Sequence, residues 1–321
     1  MTQNHIYKEN NKKRSIIEVI IFFMVAYGVS LLFGIPLYFK EYMNPEIMVI
    51  FMTILPASGV SIAKIYKHKR NDRHRILHYI IIANFLLYLC LVTLRVFKII
   101  DDETIKLGMG ILTLFTSISI ICYACIEGKE LYPFKNGKKS IVCIFIFILI
   151  INLSKCIMLE WKGVNLIMTI FLIFPYLANQ GILFFGEEYG WRGFLQEKMQ
   201  RKFGKRIGVI LLGVIWELWH IPLWFTIYHV DGLGILLRLI FVIGLSIFLG
   251  YVYMKTKNVW ACVIIHLTNN TLLLDVNLSN TFLNFNSSNL SSNVILGCLI
   301  YSILLSLFIF TKEYKKDYRN K

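Results

Sequence analysis

Charge is what this chain has least of. Only 17% of its 321 residues are charged, against about 25% in an average soluble protein. Acidic residues are scarcer than basic ones, 19 against 34. With 57% of residues hydrophobic, too few polar side chains remain to cover a globule in water, which excludes an ordinary soluble protein of one or two domains. The net charge of +15 would suit a nucleic-acid binder, but the apolar content argues against one. The chain also lacks an internal repeat, a second soluble domain, the HExxH signature of helical zinc sites and the G-x-S-x-G elbow of serine hydrolases.

Apolar runs long enough to cross a bilayer are present instead. A span needs about 20 such residues, and there is room for about ten. The spans are predicted at Val19–Phe39, Ile47–Ala63, Ile76–Leu94, Leu107–Cys125, Ile141–Leu159, within Val164–Gln200, and at Ile207–Phe225, Ile235–Met254, Val259–Asp275 and Val294–Thr311. The expected fold is therefore all-α, a polytopic membrane helix bundle. Lys12-Lys13-Arg14 precede the first span as in a signal peptide, but the apolar stretch is longer than a signal core and no clear small-x-small cleavage site follows. It reads as a retained helix.

The basic residues check this arrangement. Of the 34 Lys and Arg, 26 fall in the amino terminus, in alternate loops and in the carboxyl tail; six fall in the opposite loops, and Arg192 and Arg238 fall within apolar segments. The bias alternates at every turn, which places both termini on the cytoplasmic side of a multi-pass protein of the cell membrane. It also accounts for the net charge without nucleic acid. The seven cysteines lie in or beside apolar runs, and Cys122 and Cys125 form a CxxC inside a span, which points to helix packing rather than metal or redox chemistry. The outer loop Val276–Asn293, rich in Asn and Ser, reads as a flexible polar connection.

Ionisable groups inside spans are costly and face a bundle interior or a wet cavity. Here they concentrate in three segments: Glu187, Glu188 and Arg192; Glu217 and His220; His266, Asn269 and Asn270. Spans one to five have nothing comparable. Glu188 and Arg192 are four apart and meet on a helix face; Glu187 points roughly 100° away and is left without a local partner. His266 and Asn270 share a face, and the same spacing sets Trp216 beneath His220. Counted from the cytoplasmic ends, Glu187 and His220 lie roughly 20 Å deep, and His266 and Asn270 between about 12 and 18 Å. The three elements converge if Glu187 to Gln200 is embedded helix and Val164–Gln180 is a short or kinked lead-in at Pro175. Thr268 and Asn269 read as interhelical glue, Glu217 as either a supporting group or a lipid-edge acid, and His229 and Asp231 as solvated loop residues.

A carboxylate, two imidazoles and an amide in one wet pocket suit hydrolysis. Glu187 aided by His220 can activate water, and His266 with Asn270 can stabilise an oxyanion. Alternatively Glu187, His220 and His266 hold a zinc ion whose bound water attacks. The rival class is a proton-coupled transporter, but carriers show broken helices in matching halves, and here the polar groups occupy one half only.

The series Glu187-Glu188-x-x-x-Arg192, Trp216-x-x-x-His220 and His266-x-x-x-Asn270 resembles the CPBP, or Abi, family of intramembrane proteases, the type II CAAX prenyl endopeptidases and bacteriocin-processing proteins. The resemblance covers about 141–275. It implies a helical core of about eight spans with its site inside the bilayer, reached from the cytoplasmic side. In this reading 1–140 supplies amino-terminal helices, 141–275 the catalytic core, and 276–321 the outer loop, last span and basic tail. By the resemblance Glu187 and His220 activate water, Glu188 and Arg192 support them, and His266 and Asn270 form the oxyanion site. The cofactor is none, or zinc on Glu187, His220 and His266, with the metal-free glutamate mechanism fitting the family better. The partner is a membrane-associated peptide or protein within the lipid bilayer. Trp216 stands where the family often has Phe, Glu217 is an additional acid, and about ten spans exceed the core, which marks the first two as an extension. The family also contains bacteriocin-immunity and regulatory membrane proteins, which gives a non-proteolytic alternative.

Overall fold

The computed structural model describes residues 15–39, 42–66, 74–127, 130–157, 165–273 and 290–315, and every regular element among them is helical. This follows from the predicted spans, because a segment surrounded by lipid must satisfy its own backbone polar groups. The helices are α1 (Ser15–Tyr38), α2 (Pro45–Tyr66), α3 (Arg75–Val96), α4 (Asp102–Glu127) and α5 (Gly137–Ile157). Next come α6 (Asn165–Gly190), α7 (Gln196–Phe203), α8 (Lys205–Trp219) and the one-turn α9 (Ile221–Trp224). The last are α10 (Gly232–Thr256), α11 (Val259–Leu273), α12 (Ser292–Ser306) and the short α13 (Lys312–Lys315). Two π-turns interrupt the series, Met24–Val29 within α1 and Trp191–Leu195 between α6 and α7.

Each predicted span overlaps a helix, although Ile207–Phe225 is divided between α8 and α9 at His220, and seven of the described helices are long and apolar enough to cross a membrane. α8 and α11 have 15 residues each, about 22 Å at 1.5 Å per residue, short of a ~30 Å hydrocarbon core. Two expectations need correction. Pro175 lies inside α6 and does not end it; α6 is stitched to α4 about two turns later, where the Ile182 N–H donates to Ser117 Oγ at 2.9 Å. Cys122 and Cys125 are exposed on α4 and so are not packing residues, whereas Cys143, Cys262 and Cys298 are buried. The Lys12-Lys13-Arg14 run, and all but the last four residues of the outer loop, lie outside the described residues.

Helix ends follow local chemistry. Asp231 caps α10 by accepting from the Gly234 N–H at 2.8 Å. Lys257, in the left-handed region at φ 51°, closes the same helix with its N–H on Tyr253 O at 2.8 Å. Asn258 then starts α11, accepting from Trp260 N–H at 2.9 Å while its Nδ2 donates to Pro133 O at 2.8 Å and Lys135 O at 2.9 Å. One side chain thus ties α11 to the α4–α5 turn.

α6 is the central helix, packed against α2, α4 and α11, while α10 packs against α8 and α12. Large apolar residues such as Leu32, Ile35, Phe115, Phe145, Phe171 and Ile303 are exposed on the outer faces, as lipid contact requires. The α2–α6 contact depends on Gly186 and Gly190. A Cβ on Gly186 would stand 3.0 Å from Ile54 Cα and closer still to Thr53 O; one on Gly190 would stand 2.9 Å from the Pro56 carbonyl carbon. Backbone cannot yield as a flexible side chain can. Gly186→Ala and Gly190→Ala should each destabilise the fold by about 1–3 kcal/mol. Thermal unfolding of the detergent-solubilised variants checks this; unchanged melting would mean that α2 and α6 are less closely apposed.

Candidate active site

The chain places Glu187 and Glu188 in the last turn of α6, directly before the π-turn that contains Arg192. Both carboxylates and the guanidinium are buried. Glu188 accepts Arg192 Nε at 3.1 Å on Oε2 and bonds His266 Nδ1 at 2.9 Å through Oε1. A carboxylate only accepts, so Nδ1 is the protonated nitrogen and Nε2 lies on the far side of the ring. Arg192 Nη1 donates to Ser246 Oγ of α10 at 3.0 Å, and the guanidinium carbon lies 4.9 Å from the Trp216 ring centroid. One buried ion pair therefore joins α6, α10 and α11.

Glu187 faces another way, as its place in the helix requires, but it is not without a partner. Its Oε2 accepts the Trp216 indole N–H at 2.9 Å. The Trp216 ring sits edge-on to His266 at 5.2 Å, with Phe184 on the same imidazole at 5.1 Å. The expectation that Trp216 lies beneath His220 is corrected: the ring against His220 is that of Trp219, at 5.0 Å. The reason is a break in the helix. Pro222 lacks an N–H and restrains the residue before it, so α8 ends at Trp219 and His220 stands at φ −80°, ψ 1°. The four-residue spacing therefore does not stack a ring. It brings His220 Nδ1 to Trp216 O at 3.0 Å. A carbonyl only accepts, so His220 carries its proton on Nδ1 and Nε2 is the basic nitrogen.

Glu187, His220, His266 and Asn270 all line one cavity of about 450 Å³ between α2, α4, α6, α8, α10 and α11, within the size range of ligand-binding pockets. The sequence-predicted groups thus divide in two. Those four face the cavity, whereas Glu188 and Arg192 lie behind His266. Asn269 Nδ2 donates to Asn270 Oδ1 at 3.0 Å, and Tyr301 of α12 donates to Asn269 Oδ1 at 2.6 Å, so Asn269 serves as glue and Asn270 turns its NH2 group elsewhere. His229 is exposed and Asp231 caps α10.

A zinc ion needs three or four donors about 2.0–2.2 Å from a common point. Among the described residues no three His, Cys, Asp or Glu side chains come together in that way, and Glu187 commits one oxygen to Trp216. The donor set as folded does not fit zinc.

The residue that sequence reading under-weighted is Arg238. It lines the cavity and forms a two-point pair with the fully buried Glu217, Nε to Oε1 at 2.7 Å and Nη2 to Oε2 at 3.1 Å. Glu217 also accepts Trp224 Nε1 at 3.0 Å and has Oε2 3.7 Å from His220 Nδ1. It is therefore no lipid-edge acid. The signal was present in the sequence as two opposite charges in apolar segments, both requiring a partner.

Residues 164–272 match the family model described as type II CAAX prenyl endopeptidase Rce1-like. Neither a curated protein nor a solved structure matches the chain. The matched third of the chain carries all six groups named above in the order and spacing given, within a bundle of apolar helices. Over residues 164–272 the chain is therefore similar to the type II CAAX prenyl endopeptidase Rce1-like family of membrane proteases.

Proposed function

We propose that this protein hydrolyses a peptide bond of a membrane-associated peptide or protein, inside the bilayer, with a water molecule activated by Glu187 and His220. The observation that carries this reading is the shared cavity: one carboxylate, two imidazoles and one carboxamide line it together. Glu187 keeps one oxygen on Trp216 and has the other to take a proton from water. His220, with Nδ1 held by Trp216 O, presents Nε2 as the second base and later as the donor to the leaving amine. Asn270 supplies a hydrogen bond to the developing oxyanion. His266 can add another only when Nε2 is also protonated, and Glu188 on its Nδ1 supplies the countercharge for that state. No step requires a metal ion. The basic loops support an orientation with both termini in the cytoplasm and a site entered from that side.

The test uses the full chain in vesicles with a membrane fraction as substrate pool, in water enriched in oxygen-18. New carboxyl termini carrying one heavy oxygen, absent with Glu187→Gln and retained with a chelator, are expected in mass spectra. Peptides retained on immobilised Glu187→Gln protein should include the same sequences. Chelator-sensitive cleavage would replace this mechanism with a metal-dependent one. A complete absence of Glu187-dependent termini would favour a non-proteolytic role.

A further inference from the structure

The first helix is outside residues 164–272, yet it closes on the turn that presents His220. Its π-turn, Met24–Val29, brings Ala26 O to the Trp219 indole N–H at 2.9 Å. Ser30 Oγ takes the same N–H at 3.0 Å and donates to Ala26 O at 2.6 Å. Tyr27 donates its phenol O–H to Ile215 O. Further along, a Cβ on Gly34 would stand 3.0 Å from Pro222 Cβ. Helix α1 thus touches residues 215, 219 and 222, before and after His220 in the chain.

This contact matters because of where His220 stands. It lies at the junction of two helices, where its backbone N–H donates to Glu217 O at 3.0 Å and its carbonyl accepts from Leu223 N–H at 2.8 Å, so a single tight turn holds its backbone and the orientation of the ring is left to its neighbours. Its ring is set by the Trp216 carbonyl and by a T-shaped contact with Trp219 at 5.0 Å, with Tyr228 at 6.1 Å and Glu217 Oε2 3.7 Å from Nδ1. Trp219 is itself held between Trp191, at 5.6 Å, and the two acceptors of α1. A π-turn is a poor helix geometry that persists where its displaced groups are used. Here the residues within and just after it bind the indole that backs the imidazole.

We propose that α1 is a positioning element of the active site, with Tyr27 and Ser30 as positioning residues that set the ring of His220 through Ile215 and Trp219. The effect on rate rests on the endopeptidase reading above, whereas the clamp on His220 can be observed without turnover. The resemblance marks the first span as an extension of the protease core; the structure packs it behind the turn that carries His220.

The experiment uses full-length protein in lipid nanodiscs, labelled with nitrogen-15 histidine, with the His220 signal assigned by its loss in His220→Gln. In the wild type His220 should populate the Nδ1–H tautomer. In Tyr27→Phe/Ser30→Ala the two tautomers should mix. On a vesicle-anchored peptide that the wild type cleaves, kcat should fall about 10- to 100-fold, the scale of a small misplacement of a reacting group. KM should stay within about twofold, since ground-state binding is untouched. Ser30→Thr, which keeps the hydroxyl, should match the wild type in both readouts. An unchanged His220 signal, or a changed signal with unchanged kcat, overturns the proposal. If the double variant does not fold, Tyr27→Phe alone decides by the same criteria. If the wild type cleaves no peptide, the endopeptidase reading falls and the tautomer signal alone decides the clamp.

Discussion

Glu187→Gln is expected to lower kcat by roughly 10²- to 10⁴-fold, the range that a positioned acid–base group contributes, with the melting temperature near that of the wild type. The neutral amide is a close isostere, and its oxygen can still accept the Trp216 indole N–H that Glu187 Oε2 accepts at 2.9 Å. The fold therefore keeps its contact, while the group loses its ability to take a proton. The comparison with Glu188→Gln separates the roles. Glu188 holds Arg192 and His266 at once, so its loss should lower stability as well as rate. A folded Glu187→Gln protein that turns over at the wild-type rate would show that another group takes the proton from water.

The second large effect is on stability. Glu217 and Arg238 are both buried, and the arginine also lies 3.7 Å from the Tyr228 ring centroid. Removing either partner strands a charge in a low-dielectric interior, and such losses cost about 3–5 kcal/mol. Glu217→Leu and Arg238→Leu should each show that cost in unfolding titrations from mixed micelles. The double replacement should recover most of it, because an apolar pair needs no desolvation of charge. Single-variant losses below about 1 kcal/mol, as at a solvent-exposed pair, would mean that water enters this side of the cavity.

These effects were unequally visible in the sequence. Glu188 with Arg192 could be read from spacing alone, because three to four residues on a helix fix proximity whatever the surroundings; the bond at 3.1 Å follows. The convergence of α6, α8 and α11 could be inferred from depth, because rise per residue and span ends are both local properties. The partner of Glu187 was not legible. Trp216 is 29 residues away on another helix, and only the tertiary placement of α8 decides that its indole points there. The His220 geometry was misread for a different reason. The spacing rule assumes a continuous helix, whereas Pro222 stops α8 one residue too early for Trp216 to lie under the imidazole. The role of α1 had no sequence signal, since an acceptor made of a backbone carbonyl such as Ala26 O leaves no trace in side-chain identity.

The sequence by itself determined that the chain is a bundle of apolar helices and which three segments carry its polar groups. Both properties follow from the cost of placing charge or unpaired backbone in lipid, and that cost acts on each segment separately. Only the tertiary structure decided which oxygen meets which donor, that Arg238 answers Glu217, and that the amino-terminal helix backs His220. Those pairings join residues 21 to 193 positions apart, and they depend on how helices rotate and press together, where a single glycine, proline or widened turn changes which groups face one another.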